Sequence, residues 1–424
     1  MSELSKMYYS LQDDPFPGEL HMTLGDQELI FKKKIWNIGG QEKGLRYGEN
    51  PDQPAAVYYL HQGKLELGGV LFRSANGGLV SSLQSENILQ SGKHPGKINL
   101  TDVDNGLNIL QYLQAKPAAV ILKHNNPCGA AWSDKGLPQA LQNAFFCDRI
   151  AAFGGTIVLN REVDEQCAEF IQTAYFEVVA APEFSSRALD ILKERKNLRI
   201  LKIPEIFELD KMLHAPFLDI KSLLDGGLVV QFSFRNRILT EQDFLPAQVE
   251  SESETLTARQ PTAQEAQDLL FAWAVEAGVT SNSVIFARDG ATVAIGTGEQ
   301  DRVGCVELTI HKAYMKYADL LAHKETGLSL YQLRAKAKED PEHKKILEDI
   351  QNRTHKAQGG LPGAVLVSDG FFPFRDGVDL AIEQGVTAFA QPGGSLNDAE
   401  VIEAVNQADP QVAMVFTGQR SFKH

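Results

Sequence analysis

Ala118-Ala119-Val120-Ile121-Leu122-Lys123-His124-Asn125-Asn126-Pro127-Cys128-Gly129-Ala130-Ala131 is the stretch on which the reading of this chain turns. Between Pro117 and Lys123 every residue is apolar. Such a run marks a short strand buried on both faces, as in a sheet covered by helices. It stops on a lysine and a histidine, then passes into Asn-Asn-Pro and a glycine, which is turn chemistry. A cation, an imidazole and two amides are thereby delivered where a buried strand ends. In open α/β sheets, that is where ligands bind. The plain alternative is a strand that happens to surface at a charged residue.

The same logic recurs along the chain. Gly154-Gly155 leads into Thr156-Ile157-Val158-Leu159, Phe176-Glu177-Val178-Val179-Ala180-Ala181 reads as a strand ending at Pro182, and Val365-Leu366-Val367-Ser368 and Ala388-Phe389-Ala390-Gln391 repeat the pattern. Residues 137–146 read as a helix, and Thr262 with Glu265 forms a capping box opening another. Thr101 or Asp102 is expected to cap a helix containing Leu107, Ile109, Leu110 and Leu113. Residues 281–287 read as a strand with a hairpin partner at 292–295, and Leu29-Ile30-Phe31 as an edge strand. Lys32-Lys33-Lys34 reads as a solvated charge run, and 335–349 as a charged surface helix interrupted by Pro341. Strands alternating with helices predict an α/β fold with a mostly parallel sheet, and its two halves resemble one another weakly. The polar run around Ser251-Glu252-Ser253 is the expected boundary. It divides an N-terminal segment (1–45) and a first domain (46–246) from a second (247–424).

The chain has 424 residues, 43% hydrophobic and 23% charged, as in an ordinary globular protein of more than one domain. With 41 basic against 55 acidic residues and a net charge of -14, its surface opposes polyanions, so no nucleic-acid partner is expected. The N-terminus lacks a signal-type apolar run, no segment is long and apolar enough to span a membrane, and the four cysteines are scattered. A cytoplasmic protein without membrane contact is the expectation.

Several chemistries lack their motif: there is no GxxxxGK[ST], HExxH or GxSxG. Pro127-Cys128 is half of a PCxxC zinc-deaminase motif, but position 131 is alanine, so no metal is predicted. Arg46-Tyr47 in the Leu45-Arg46-Tyr47-Gly48-Glu49-Asn50-Pro51 loop suits a phosphate through its fork of donors, although a surface turn with an exposed arginine has the same composition.

Taken together, Leu45 to Pro51, Lys123-His124-Asn125-Asn126-Pro127, Asp148-Arg149-x-x-x-Phe153-Gly154, Ser281-Asn282-Ser283-Val284, Phe371-Phe372-Pro373-Phe374-Arg375-Asp376, Gln391-Pro392-Gly393-Gly394-Ser395 and Arg420-x-Phe-x-His resemble one family in its motif order. It is the AICAR transformylase part of the bifunctional purine-biosynthesis enzyme. The resemblance implies two tandem cytidine-deaminase-like three-layer α/β/α domains and formyl transfer from 10-formyltetrahydrofolate to the 5-amino group of AICAR, giving FAICAR. It implies Lys123 and His124 as the catalytic pair. Arg46, Tyr47, Asn99, Gly154, Glu177, Asn282, Phe371 and Arg420 are implied to bind the ribotide, with the arginines on its phosphate. Arg302, Val303, Asp376, Ser395 and Leu396 are implied to contact the folate co-substrate. Phe371, Phe372 and Phe374 also suit a core, which is expected to hold at least one of them. A homodimer with active sites at the subunit interface is implied, and no metal. The sequence departs from the family in two respects. It begins almost directly at the transformylase, implying no cyclohydrolase activity and a separate IMP cyclohydrolase acting downstream. The usual Asn-Pro-His-Gln is here Asn50-Pro51-Asp52-Gln53. A non-catalytic ribotide-binding regulator and a transferase with a different formyl donor stay open as alternatives.

Overall fold

The computed structural model describes residues 14–73, 78–213, 215–250 and 254–424. The start of the N-terminal segment (1–13) and residues 251–253 of the polar boundary run lie outside the described residues. Contacts divide the described residues into two compact units, one within 14–118, 122–125 and 154–235, the other within 119–121, 126–153 and 236–424.

In the first unit, β1 (Glu19–Leu24), β2 (Gln27–Lys33) and β3 (Tyr58–Gln62) form an antiparallel sheet around Leu29, Leu65 and Phe72. Leu29-Ile30-Phe31 belongs to the middle strand, not an edge, because β3 pairs the side that β1 leaves open. The charge run also needs correcting. Lys34 is buried and its Nζ donates to Gln84 Oε1 at 3.1 Å.

After β4 (Ile88–Gln90), α1 (Lys97–Leu110) starts before its expected caps. Gly96 is the N-cap, and the Asn99 side chain accepts from the Gly96 N–H at 3.1 Å. Thr101 and Asp102 therefore lie inside the helix, where Asp102 is buried, and Leu113 lies beyond its end. The apolar run forms β5 (Ala118–Lys123), buried up to Leu122. Only His124 and Asn125 separate it from β6 (Asn126–Trp132), so Asn-Pro-Cys-Gly is strand where turn chemistry was expected. Gly129 shows why: a Cβ there would lie 2.0 Å from the Ala144 carbonyl oxygen, and its absence lets α2 (Leu137–Cys147) pack on the strand. Then follow α3 (Arg149–Ala152), β7 (Gly155–Leu159), α4 (Glu165–Gln172), β8 (Phe176–Ala181), α5 (Ser186–Leu192) and β9 (Arg199–Lys202). β7, β8 and β9 run parallel, and β4 joins β9 antiparallel. β10 (Leu218–Ser222) and β11 (Leu228–Phe232) make a hairpin.

In the second unit, β12 (Leu245–Pro246) precedes α6 (Ala263–Glu276), which opens on the expected capping box. Thr262 Oγ1 accepts from the Glu265 N–H at 3.3 Å, and Glu265 Oε2 from the Thr262 N–H at 2.8 Å. The predicted hairpin is β13 (Val284–Arg288) with β14 (Ala291–Gly296). The longest helix, α7 (Arg302–Thr326), escapes the sequence reading because its buried stripe is built of small residues such as Cys305, Thr309, Ala313 and Ala322. Next come α8 (Leu330–Lys336) and α9 (Pro341–Lys356), where Pro341 sits at the helix start and costs no hydrogen bond. β15 (Val365–Ser368), α10 (Asp376–Glu383), β16 (Ala388–Gln391), α11 (Asp398–Gln407) and β17 (Ala413–Phe416) complete the unit. Its sheet runs β12-β17-β16-β15-β13-β14-β6. β15 to β17 are parallel, whereas β12, β13, β14 and β6 join antiparallel, so the sheet is mixed rather than mostly parallel.

The weak resemblance between halves becomes a repeat in chain order. Helix, hairpin, helix, then strand-helix-strand-helix-strand runs α1, β5-β6, α2, β7 to β9, and again α6, β13-β14, α7, β15 to β17. The fold is three-layer α/β/α. Because Gly129 has no space for a side chain, Gly129→Ala should lower stability by about 2–3 kcal/mol, read as a reduced urea midpoint with an unchanged slope.

Candidate functional site

The main chain of the Arg46-Tyr47 loop is tied to the start of α1: Arg46 N–H donates to Pro95 O and Lys97 N–H to Tyr47 O, both at 3.0 Å. Gln53 closes the loop through its carbonyl to Gly48 N–H at 2.8 Å and its side chain to Asn50 N–H at 2.9 Å. Asp52 is exposed on this turn. Arg46 is buried, in contrast to an ordinary surface arginine. Its Nη1 donates to Lys93 O at 3.1 Å, its Nη2 to the Tyr47 hydroxyl at 2.8 Å, and its guanidinium lies 4.4 Å from the Tyr47 ring centre.

A second buried guanidinium belongs to Arg199 at the start of β9, only 1% exposed. Its Nη1 donates to Glu177 Oε2 at 3.3 Å and its Nη2 to His94 O at 3.4 Å, while Nε has no hydrogen-bond partner. Asn99 Nδ2 donates to the same Glu177 oxygen at 3.2 Å. Burial pushes the Arg199 guanidinium down to about 10, and the like charge of Arg46 adds more than Glu177 takes away. Beside them, burial pushes His94 down to about 4 against the bond from its Nε2 to Gly44 O at 2.7 Å. Gly154 has the left-handed φ of 73° that favours glycine, and its N–H donates to Tyr175 O at 2.8 Å.

The Lys123-His124-Asn125 turn belongs to the same unit. His124 and Asn125 take φ of 53° and 64°, the pair of left-handed residues of a type I′ hairpin turn. Lys123 is half-buried and His124 exposed. Asp102 Oδ1 accepts from Asn125 N–H at 2.7 Å, and Asn105 Nδ2 donates to Asn125 O at 2.8 Å.

In the second unit, Arg302 and through it Asn282 are tied to Asp369, which is fully buried. Its Oδ1 pairs with Arg302 Nη1 at 2.6 Å and its Oδ2 accepts from the Ser281 hydroxyl at 2.5 Å. Arg302 is itself buried, and its Nη2 donates to Asn282 Oδ1 at 3.0 Å, while Asn282 Nδ2 donates to Gln300 O at 3.0 Å. A Cβ at Gly370 would lie 2.6 Å from Arg302 Nη2 and 2.8 Å from the Phe422 ring, so a side chain there would displace these groups. The C-terminal segment is stitched on through Ser421 N–H to Asp369 O at 3.0 Å and Lys423 N–H to Ser281 Oγ at 3.1 Å. That leaves Arg420 exposed, its guanidinium 5.1 Å from the Phe422 ring centre. Of the aromatic trio, Phe372 is core, as expected of at least one, while Phe371 and Phe374 are exposed. Asp376 starts α10, Val303 is half-buried near the start of α7, and Ser395 and Leu396 lie on the turn before α11, with Leu396 fully exposed. Behind Asp369, burial and that carboxylate push Glu276 well above the usual range, and it accepts from the Ser283 hydroxyl at 2.6 Å.

Burial also pushes the thiols up, Cys147 to about 11 and Cys305 to about 12, so they are poor nucleophiles. Among the described residues no cluster of three or more His, Cys, Asp or Glu side chains suits a metal, and no helix is long and apolar enough to cross a membrane.

The model of the AICARFT/IMPCHase bienzyme family matches residues 20–312. The chain belongs to this family. It is 36% identical over 382 residues to the bifunctional purine biosynthesis protein PurH of Magnetococcus marinus, covering 90% of this chain and 59% of that protein. The protein of the same name from Persephonella marina is 36% identical over 97% of this chain and 62% of its own length. That of Desulfitobacterium hafniense is 35% identical over 99% and 63%. The chain thus spans about 60% of the length of the curated relatives it matches.

Within this family member, sequence reading missed Arg199, Asp102 and Asp369. Each left a trace: an arginine opening the apolar Ile200-Leu201, an acid on the apolar face of α1, and an aspartate directly after a buried strand. The neutral His94 yields a pH prediction. Its folded value lies below the unfolded 6.5, so its contribution to stability is complete above about pH 6.5 and is lost as pH falls toward 4. That loss amounts to about 3 kcal/mol at most. His94→Asn, which tolerates the φ of 57°, should remove this component, making the fall in urea stability between pH 7 and 4.5 shallower than in the wild type.

Proposed function

We propose that the chain is a transferase of purine (IMP) biosynthesis that moves a formyl group from 10-formyltetrahydrofolate to the 5-amino group of AICAR, giving FAICAR. Family membership and the names of the relatives support the reaction. The observation that carries the site is a pair of buried guanidiniums, Arg46 in the loop tied to the start of α1 and Arg199 at the start of β9, with the charge of Arg46 opposing that of Arg199. An anion placed there relieves the repulsion and meets charge-assisted donors, which suits the ribotide's 5′-phosphate. In this reading Arg46, Tyr47 and Arg420 take the phosphate. Asn99, Gly154, Glu177, Asn282 and Phe371 hold the heterocycle and its substituents. Arg302, Val303, Asp376, Ser395 and Leu396 face the folate, and Arg302 also orients Asn282, to which it is bonded.

The acceptor amine is conjugated with the imidazole and carboxamide of AICAR and is a weak nucleophile. His124 takes its proton as the nitrogen attacks the formyl carbon. The Lys123 ammonium and the Asn282 amide stabilise the oxyanion of the tetrahedral intermediate. The formyl carbon–N10 bond then breaks and N10 of the folate is reprotonated from Lys123. Two cytidine-deaminase-like domains (46–246 and 247–424), supported by the repeat in chain order, would bring these residues to a cytoplasmic homodimer with active sites at the subunit interface. FAICAR is in turn the substrate of an IMP cyclohydrolase.

The test is release of tetrahydrofolate by purified protein supplied with both substrates. The wild type should turn over, and Lys123→Ala and His124→Ala should each lose about 10²–10⁴-fold in kcat. Equal rates in both variants would refute the assigned pair. Ribotide binding without turnover would favour the regulator or a different donor.

A further inference from the structure

We propose that Asp102 and Asn105 are positioning residues for His124, holding its imidazole in place by clamping both backbone polar groups of Asn125. This rests on the reading of His124 as the proton acceptor. The two residues stand three apart on α1 and so share one helix face. Both are buried, Asp102 4% and Asn105 5% exposed. One accepts the Asn125 N–H at 2.7 Å, the other donates to the Asn125 carbonyl at 2.8 Å. The second oxygen of Asp102 is tied to β7 by the Thr156 hydroxyl at 3.3 Å, so the clamp is anchored on the sheet as well as the helix.

The turn needs such a clamp. His124 and Asn125 both sit in left-handed backbone, which non-glycine residues adopt at a cost and keep only where the surroundings over-determine it. The His124 side chain is exposed, so packing does little to fix it and its place follows from the backbone beneath. Burial pushes the Asp102 carboxyl up, with the Asn125 N–H and the Thr156 hydroxyl working against it. An acid kept at that cost inside the apolar face of a helix is keeping a geometry. An imidazole that drifts by an ångström no longer meets the amine proton in line, while ribotide contacts elsewhere survive.

The experiment compares kcat and ribotide KM for Asp102→Ala, Asp102→Asn, Asn105→Ala, Thr156→Val and His124→Ala. Asp102→Ala should lose about 30-fold in kcat with ribotide KM within about 3-fold of wild type. Asp102→Asn, whose amide oxygen still accepts from Asn125, should recover to within about 3-fold, and Thr156→Val, which removes only the anchor on the sheet, should lose about 3-fold in kcat at constant KM. If Asp102→Ala does not fold, Asn105→Ala carries the test with an expected loss of about 10-fold in kcat at constant KM. The clamp is overturned if these variants keep wild-type kcat while His124→Ala is inactive, or if kcat and KM deteriorate together without rescue by Asn. A fully active His124→Ala would instead overturn the reading of His124 on which the clamp rests.

Discussion

Arg46 and Arg199 place two permanent cations in the interior of the first unit, near enough that the charge of Arg46 disfavours that of Arg199. Burying one guanidinium is costly, and burying two together is tolerated only where hydrogen bonds and opposite charge are supplied. Much of the surrounding chain serves that end. The Lys93 and His94 carbonyls, the Tyr47 hydroxyl and ring, and the Glu177 carboxylate all face these groups. His94 is kept neutral beside them by burial, so it adds no third charge. On the proposed reading, the charge gathered here serves an anion.

The second unit solves a different problem with the opposite charge. There one buried carboxylate, Asp369, organises Arg302, Ser281 and the C-terminal segment, and Arg302 in turn orients the Asn282 amide. Burial and Asp369 push Glu276 well above the usual carboxylate range, and Arg302 pairs with Asp369. Residues far apart in the chain are therefore fixed by one hydrogen-bonded group, which a substitution at Gly370 would crowd.

The strands and several helices were legible because their signals are local. The run 118–122 carries no polar residue, and Thr262 with Glu265 names its own helix start. What misled was local chemistry overruled by distant packing. Asn126-Pro127-Cys128-Gly129 carries turn residues, yet the approach of α2 needs the bare Gly129 inside a strand. Leu29 to Phe31 looked like an edge until a strand from 58–62 paired with it. For the candidate site, end-of-strand residues such as Lys123 and His124 stood out by position. Arg199, Asp102 and Asp369 did not, because their roles are set by partners distant in sequence, and a single buried charge in an apolar segment leaves only a faint trace.

The claim that the paired arginines form the seat of a phosphate is tested most directly by calorimetric titration of AICAR and of its dephosphorylated nucleoside into wild type and Arg46→Met. The account predicts that wild type prefers the ribotide strongly and that Arg46→Met reduces this preference by about 10–100-fold while nucleoside affinity stays the same. An Arg46→Met protein that folds normally and discriminates between ribotide and nucleoside as well as wild type would contradict it.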